Sequence, residues 1–246
     1  MSSTGPSPPN PPVVHAIVPA AGAGRRLAAS ALPPKQYRLL LGTPMLQWSV
    51  MRVVADPRVG GVTLALAPDD RYGDDLVWDL GCPVDTVPGG DTRAHSVLNA
   101  LRHARRTANP DWVLVHDAAR PCLDRSSLER LLDEGLASVD GAILAEPVSD
   151  TLKRAADDPP VIRETVDREE LWAAQTPQLF PAKALEAALT AQIDAGAPPT
   201  DEAGAMEAAG YHPLLVAGDR TNLKVTWAAD LPLAEAILKL QRENAS

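Results

Sequence analysis

A stretch near the start of the chain combines very small residues with clustered cations. The sequence IVPAAGAGRRLAASALPPKQY, at positions 17–37, begins as a buried strand and then places Arg25, Arg26 and Lys35 close together. Small residues let a ligand approach the backbone, and cations beside exposed amide groups suit an anion. Because the whole chain has a formal net charge of −9, this local positive charge predicts a polyanionic ligand such as a nucleoside triphosphate. The alternative is a solvated loop with incidental charges.

Two better-known nucleotide-binding loops do not fit this stretch. It contains no G-x-x-x-x-G-K-[ST] sequence, so it is not a P-loop. Gly22 and Gly24 supply a G-x-G pattern, but Leu27 stands where a dinucleotide-binding loop has its third glycine. A dinucleotide-binding oxidoreductase is therefore a weaker alternative.

A second glycine-containing segment could contact a base or a ribose. The sequence PGGDTRAHSV, at positions 88–97, places two glycines between a strand and the start of a helix. Asp91 and Ser96 could hydrogen-bond to a nucleoside, whereas Asp91 or Thr92 could equally serve as the N-cap of the helix. The two roles are compatible if different residues perform them.

A third segment, VLVHDAARP at positions 113–121, ends an apolar strand at Asp117. Ligands of open α/β sheets bind at the carboxyl ends of strands, and a carboxylate there, with phosphate oxygens, suits Mg²⁺. The alternative is a turn-capping Asp117 that pairs with Arg120 at the surface. We interpret His116 as a core or supporting residue rather than a base, and Lys224 could project into the same cleft from a short strand.

The scaffold that would position these residues alternates strands and helices. Apolar runs predict strands at 13–20, 61–68, 112–119, 212–218 and 223–226. Periodic apolar positions predict helices at 44–56, 92–106, 126–137, 181–196, 200–210 and 230–244, with Ser126 or Ser127 as the N-cap of the third. This alternation indicates a Rossmann-like, doubly wound α/β fold with a mostly parallel sheet.

The segment from about 141 to 170 interrupts this pattern. Two extended stretches around the turn-rich sequence ADDPP are polar on both faces, which is unsuited to a core strand. A hairpin arm that projects from the domain and needs a partner explains this pattern, and an ordinary long surface hairpin explains it as well.

The bulk composition excludes several classes of protein. A chain of 246 residues with 45% hydrophobic and 22% charged residues is typical of a globular protein, and we expect a single domain over 13–246 after a disordered Pro/Ser-rich tail at 1–12. The acidic balance and an aromatic content of 4% argue against nucleic-acid binding. No apolar run approaches the roughly 20 residues of a membrane span. We therefore expect a cytoplasmic enzyme.

Taken in order, these motifs resemble those of the 2-C-methyl-D-erythritol 4-phosphate cytidylyltransferase family of the non-mevalonate isoprenoid pathway. The resemblance covers about residues 13–240 and rests on PAAGAGRRL with PPKQY, GGDTRAHSV, VHDAARP, DTLKR with VDREELWAAQTPQ, TDEA, and NLKVT with DLPLAE. It implies a Rossmann-like nucleotidyltransferase that uses CTP as co-substrate and forms a homodimer through interlocking β-arms. The fold-related alternative is a ribitol-5-phosphate cytidylyltransferase, and a non-catalytic dimeric binding protein is a third possibility.

The resemblance also implies roles for particular residues. Arg26, Lys35 and Lys224 would be the catalytic cations, and Asp117 would hold Mg²⁺ or another divalent cation. The residues around CTP would be Ala20, Ala21, Gly22, Gly24, Gly90, Asp91 and Ser96. The residues around the methylerythritol phosphate would be Asp117, Arg120, Thr151, Arg168 and Thr176, with Thr151 and Arg168 reaching the site of the other subunit.

Overall fold

The computed structural model describes residues 13–22, 33–156 and 158–244. The predicted tail at 1–12 and the candidate residues Gly24 and Arg26 lie outside these ranges. The strands within them are β1 (Val14–Pro19), β2 (Leu39–Leu40), β3 (Thr43–Pro44), β4 (Val59–Leu66), β5 (Val84–Pro88), β6 (Trp112–Val115), β7 (Ala142–Pro147), β8 (Leu152–Ala156), β9 (Val161–Val166), β10 (Trp172–Pro181) and β11 (Leu214–Ala217). The α-helices are α1 (Met45–Val53), α2 (Arg93–Thr107), α3 (Arg125–Ala137), α4 (Ala182–Asp194), α5 (Glu202–Ala208) and α6 (Asp230–Glu243).

A central sheet organises the described residues. Its seven strands lie in the order β11-β7-β10-β6-β1-β4-β5. Neighbouring strands are parallel except at β10, which runs antiparallel to both β6 and β7. This mixed, mostly parallel sheet confirms the predicted α/β fold class.

Helices cover both faces of the sheet, which is why its strands are apolar almost throughout. One buried cluster joins β1 and β4 to α1 and α3. A second joins the opposite face to α2, α4 and α5. A smaller cluster packs Met45 and Trp48 of α1 against Ala234 and Leu238 of α6. The sheet is thus held between two helical layers, and its strand ends are rigidly placed.

Side-chain caps fix the starts of helices α2 and α3. Thr92 is the N-cap of α2 and accepts a hydrogen bond from the backbone N–H of His95. It is one of the two predicted caps, the other being Asp91. Asp124 caps α3 by accepting from Ser127 N–H, so the prediction of Ser126 or Ser127 as that cap was wrong. An ionised carboxylate accepts a stronger hydrogen bond than a hydroxyl does, and with Asp124 as its cap α3 begins at Arg125, one residue before the predicted start.

The structure differs from the sequence analysis at two other places, one strand that was not predicted and one predicted strand that is absent from the described residues. Strand β10 was not predicted, because the polar residues Gln175, Thr176 and Gln178 interrupt its apolar pattern although each is buried. The predicted strand at 223–226 is irregular backbone, held by a hydrogen bond from Val225 N–H to Ala119 O at 2.8 Å.

A separate two-stranded antiparallel hairpin is formed by β8 and β9. Most of its side chains are exposed, including Val161 and Ile162 near the turn. Strand β7 belongs to the central sheet, so the hairpin occupies only the middle of the 141–170 segment. Within the described residues, no helix is both long and apolar enough to cross a membrane.

Candidate active site

A pocket of about 430 Å³ opens beyond the carboxyl ends of β1, β5 and β6. This volume lies in the usual range for small-molecule sites, and the position is the one expected for ligands of open α/β sheets. The predicted site residues that line it are Ala20, Ala21, Gly22, Lys35, Gly90, Asp91, Ser96, Asp117 and Lys224. Of the remaining candidates in the described ranges, Arg120, Thr151, Arg168 and Thr176 do not line this pocket.

The small residues at the pocket wall are needed for close packing. A Cβ atom on Gly89 would lie 2.4 Å from Ala21 Cβ, and one on Gly90 would lie 2.4 Å from His95 Cβ. Gln36 donates a hydrogen bond to the carbonyl of Ala20 at 2.7 Å and so braces the start of the first loop. Gly89 of the second loop therefore packs directly against the Ala21 Cβ atom of the first loop, with no room for a side chain between them.

Ser96 holds the second loop in place. Its hydroxyl accepts from Gly90 N–H at 3.0 Å and lies 3.0 Å from the carbonyl of Thr92, to which it can donate. The residue is 2% exposed, so its hydroxyl acts mainly on the loop backbone. Asp91 is exposed beside it, so helix capping by Thr92 leaves Asp91 available to a ligand.

Asp117 is the centre of the charged part of the pocket. Lys224 Nζ lies 2.6 Å from its Oδ2 atom, and Arg93 Nε lies 3.1 Å from its Oδ1 atom. Burial alone would raise the pKa of this carboxyl, but the charges of Arg93 and Lys224 hold that pKa well below its usual range. Asp117 is thus ionised near pH 7, and its ion pairs are with Arg93 and Lys224 rather than the alternative surface pair with Arg120.

Arg93 is a pocket residue that sequence reasoning missed. Its Nη1 and Nη2 atoms contact the two carboxylate oxygens of the buried Glu202 at 2.7 and 2.9 Å, while its Nε atom contacts Asp117. One signal was present in the sequence. Arg93 is the first residue of α2, where the helix dipole disfavours a cation, so a nearby anionic partner should have been expected.

The segment around Val225 connects the two pocket lysines. Lys35 Nζ donates to the carbonyl of Val225 at 2.9 Å, and Lys224 is 45% exposed at its side chain. The irregular segment around Val225 therefore carries one lysine and anchors the other. Both ammonium groups lie where they can contact an anion in the pocket.

Thr176 supports Asp117 from behind the pocket. Its Oγ1 atom accepts from Asp117 N–H at 3.0 Å and lies 3.1 Å from His116 Nδ1. His116 Nε2 donates to the carbonyl of Arg120 at 2.9 Å. Burial lowers the pKa of His116 to about 4, so this imidazole is neutral near pH 7 and is bound on both sides.

The candidates on and near the hairpin lie apart from this pocket. Thr151 and Arg168 are exposed, and Arg168 donates to the carbonyl of Ser149. Arg120 is partly buried and donates to the carbonyl of Asn222 at 2.6 Å.

Within the described residues, no group of three or more His, Cys, Asp and Glu side chains is placed to hold a metal ion.

The charged residues of the pocket suit a phosphate-bearing ligand, but a highly charged ligand would need cations in addition to these. The described charged residues that line the pocket are Lys35, Arg93, Lys224, Asp91 and Asp117. Arg93 is paired with two carboxylates and Lys224 with one, so part of the positive charge of the pocket is already neutralised. A triphosphate carries several negative charges, so it would need further cations than these.

The chain matches known proteins along nearly its whole length. Residues 14–240 match the family model described as IspD, 2-C-methyl-D-erythritol 4-phosphate cytidylyltransferase. An enzyme of that name from Halorhodospira halophila is 53% identical over 231 residues, which cover 92% of this chain and 94% of the relative. Another from Bordetella petrii is 50% identical over 220 residues, covering 89% and 96%.

A solved structure agrees with these sequence matches. The Francisella tularensis 2-C-methyl-D-erythritol 4-phosphate cytidylyltransferase superimposes with a TM-score of 0.76 at 33% identity, covering 92% of this chain and 99% of that one. The family model spans residues 14–240, which include every described strand and every residue that lines the pocket. The chain therefore belongs to the 2-C-methyl-D-erythritol 4-phosphate cytidylyltransferase family.

Proposed function

We propose that this chain transfers the cytidylyl group of CTP to 2-C-methyl-D-erythritol 4-phosphate and releases pyrophosphate, as a step of isoprenoid biosynthesis. The observation that carries this function is the pocket at the strand ends, where a Gly/Ala backbone wall faces Lys35, Lys224 and Asp117 in a member of this family. CTP as co-substrate fits the family, and the pocket volume fits a nucleotide-sized ligand.

The chemistry requires charge stabilisation more than proton transfer. A phosphate monoester carries a charge of about −1.5 to −2 at pH 7, so the acceptor phosphate is already a nucleophile. Its oxygen attacks the α-phosphorus of CTP while the bond from that phosphorus to the departing pyrophosphate breaks. Lys35 would stabilise the negative charge that grows on the non-bridging oxygens. No general base is needed, which agrees with a neutral, fully engaged His116.

Additional cations would complete the nucleotide half of the site. Arg26 and Gly24 lie outside the described residues, and we propose that Arg26 is a second catalytic cation near the α-phosphate. Ala20, Ala21, Gly22, Gly90 and Asp91 would contact CTP directly. Ser96 would act by holding Gly90, since its hydroxyl contacts that residue.

Asp117 fits a divalent cation by its chemistry. It is an ionised carboxylate at the pocket, and Mg²⁺ prefers one or two carboxylates together with phosphate oxygens. A bound ion would compete with Lys224 for Oδ2, the oxygen that this lysine contacts now. Mg²⁺ there would neutralise charge on the triphosphate, and Asp117 would hold it against the pocket wall.

The acceptor half of the site would be completed by residues outside the pocket. Arg120, Thr176 and Lys224 would contact or support the methylerythritol phosphate from within one chain. Thr151 and Arg168 would reach it from a second copy, through a homodimer that packs the β8–β9 hairpin as an arm. We also propose a cytoplasmic location.

A pyrophosphate-release assay with a panel of acceptors tests the proposed substrate. We expect rapid turnover of CTP with 2-C-methyl-D-erythritol 4-phosphate, and slow turnover with ribitol 5-phosphate or with UTP or ATP as donor. Uracil presents an acceptor where cytosine presents an amine donor, so UTP would leave buried groups unpaired. Preferential turnover of ribitol 5-phosphate would reassign the acceptor, and equal rates with UTP would contradict the CTP site.

A further inference from the structure

A chain of alternating charges runs from the protein interior to the pocket. Glu202, which is 0% exposed, contacts Arg93 through both carboxylate oxygens at 2.7 and 2.9 Å. Arg93 contacts Asp117 at 3.1 Å, and Asp117 contacts Lys224 at 2.6 Å. The four residues come from four separate parts of the polypeptide: α5, α2, the turn after β6 and the irregular segment at 223–226.

A gain in stability alone does not account for the buried ion pair between Glu202 and Arg93. A buried ion pair loses about as much free energy by desolvation as it gains by attraction, and well-packed apolar residues often replace it without loss. Burial raises the pKa of the Glu202 carboxyl, with Arg93 opposing the rise, which reflects the same desolvation cost. The geometry indicates a role in orientation. Glu202 holds both terminal nitrogens of the Arg93 guanidinium, and the Nε–H group of Arg93 donates to Asp117.

We propose that Glu202 and Arg93 are positioning residues that orient the Asp117 carboxylate, so that Arg93 holds Oδ1 and Oδ2 alone is left to exchange partners in the pocket. The inference rests on the proposed function, since it concerns how Asp117 serves that reaction. Oδ2 now contacts Lys224, and it is the oxygen that a substrate-bound divalent cation would take. Glu202 itself does not line the pocket, so it acts only through Arg93.

A matched control is a second glutamate that pairs with arginines of the same helix, α2. Glu186 of α4 pairs with Arg102 and Arg105 at the other end of α2, so Glu186→Gln also removes a carboxylate that pairs with arginine on α2. We expect Glu202→Gln to lower kcat/KM for cytidylyl transfer by about 10- to 100-fold, the usual effect of losing a supporting partner, while Glu186→Gln retains wild-type kinetics. Arg93→Lys keeps the charge but not the fork, and it should lose activity like Glu202→Gln.

A double-mutant cycle and a binding measurement separate positioning from structural damage. In an Asp117→Asn background, Glu202→Gln should reduce kcat/KM little further, because it acts through Asp117. The affinity of Mn²⁺ for the enzyme–CTP complex, measured by electron paramagnetic resonance, should fall about tenfold or more in Glu202→Gln and Arg93→Lys and stay unchanged in Glu186→Gln.

Several outcomes would overturn the inference. These are wild-type Mn²⁺ affinity in Glu202→Gln, full additivity of its effect with Asp117→Asn, or normal turnover in Arg93→Lys. If the wild-type enzyme fails to turn over CTP with methylerythritol phosphate, the proposed function fails first and separately. A variant that does not fold is recognised by its melting temperature, and the remaining variant then decides.

Discussion

Asp117 contacts residues from three separate parts of the chain. These are Arg93 on α2, Lys224 at the irregular segment and Thr176 on β10. The sequence predicts Asp117 and Lys224 as site residues because each follows a recognisable motif. It does not predict their ion pair or the contact with Arg93, because tertiary folding alone brings these distant positions together.

Replacement of Asp117 tests its role toward a divalent cation. Asp117→Asn keeps the size but removes the charge, so a higher Mg²⁺ concentration should be needed for half-maximal rate, while the preference for CTP over UTP should persist. Initial rates across a Mg²⁺ titration measure this. An unchanged Mg²⁺ requirement would remove Asp117 from the metal site, and full activity of the wild type in excess chelator would exclude the metal altogether.

Replacement of Lys35 tests the electrostatic role of the pocket cations. Removing one such donor in other enzymes lowers kcat by roughly 100- to 1000-fold, and we expect Lys35→Ala to do the same with little change in melting temperature. Arg26→Ala should behave alike. Lys183, an exposed residue of α4, provides the control as Lys183→Ala. Near-normal turnover of Lys35→Ala would contradict the catalytic assignment.

At the scale of elements, the loop between β5 and α2 forms one wall of the pocket where we propose that CTP binds. Gly89 and Gly90 pack against Ala21 and His95 too closely for a side chain, and Ser96 fastens Gly90 to the first turn of α2. The loop is thus placed by the strand before it and the helix after it. Gly89 N–H donates to Leu66 O and Gly90 N–H donates to Ser96 Oγ, so the loop backbone is held in place before a ligand binds.

The substitution Gly90→Ala tests this placement. Its Cβ atom would lie 2.4 Å from His95 Cβ, so the loop must shift, and we expect the KM for CTP to rise about tenfold, equivalent to about 1.4 kcal/mol. Gly60→Ala is the matched control, because nothing lies within 4 Å of the added atom and Gly60 is exposed on β4. Equal CTP KM values in both variants would show that the loop tolerates the shift.

Prediction of the elements succeeds where local patterns and tertiary context agree. Strand β1 and helix α2, with its cap at Thr92, follow directly from apolar runs and capping chemistry. Strand β10 was missed because its Gln175 and Gln178 side chains are polar but buried. Their hydrogen bonds to distant residues make this burial possible, and the sequence does not reveal those bonds. The 223–226 segment looked like a strand but has no strand partner within the described residues, so it remains irregular and anchors Lys35 instead.

At the scale of the whole molecule, the central sheet accounts for the pocket, whereas most of the β8–β9 hairpin is exposed within the described chain. The hairpin has exposed residues on both faces, and Thr151 and Arg168 lie beside it. The doubly wound fold was predictable from the alternation of elements. The use of the hairpin was not, because a surface hairpin and a dimer arm have the same sequence pattern.

A subunit-mixing experiment tests the arm. Arg168→Ala and Lys35→Ala should each be inactive, and a dimer that shares its sites should regain roughly a quarter of wild-type activity after random exchange, since half of the dimers then contain one intact site. Exchange is verified by native mass spectrometry. Absence of recovery despite exchange would confine each site to one chain, and a monomer in analytical ultracentrifugation would reject the arm as a dimer contact.

The central claim is that this pocket joins the acceptor phosphate to the α-phosphorus of CTP. Phosphorus NMR of CTP with 2-C-methyl-D-erythritol 4-phosphate measures that bond directly, with the wild type and Lys35→Ala compared side by side. We expect the wild type to convert the phosphomonoester signal into the paired signals of a diphosphate diester, with one pyrophosphate released for each diester formed, and Lys35→Ala to do so far more slowly. Formation of CMP and pyrophosphate with the acceptor unchanged, or equal diester formation by both proteins, would contradict the claim.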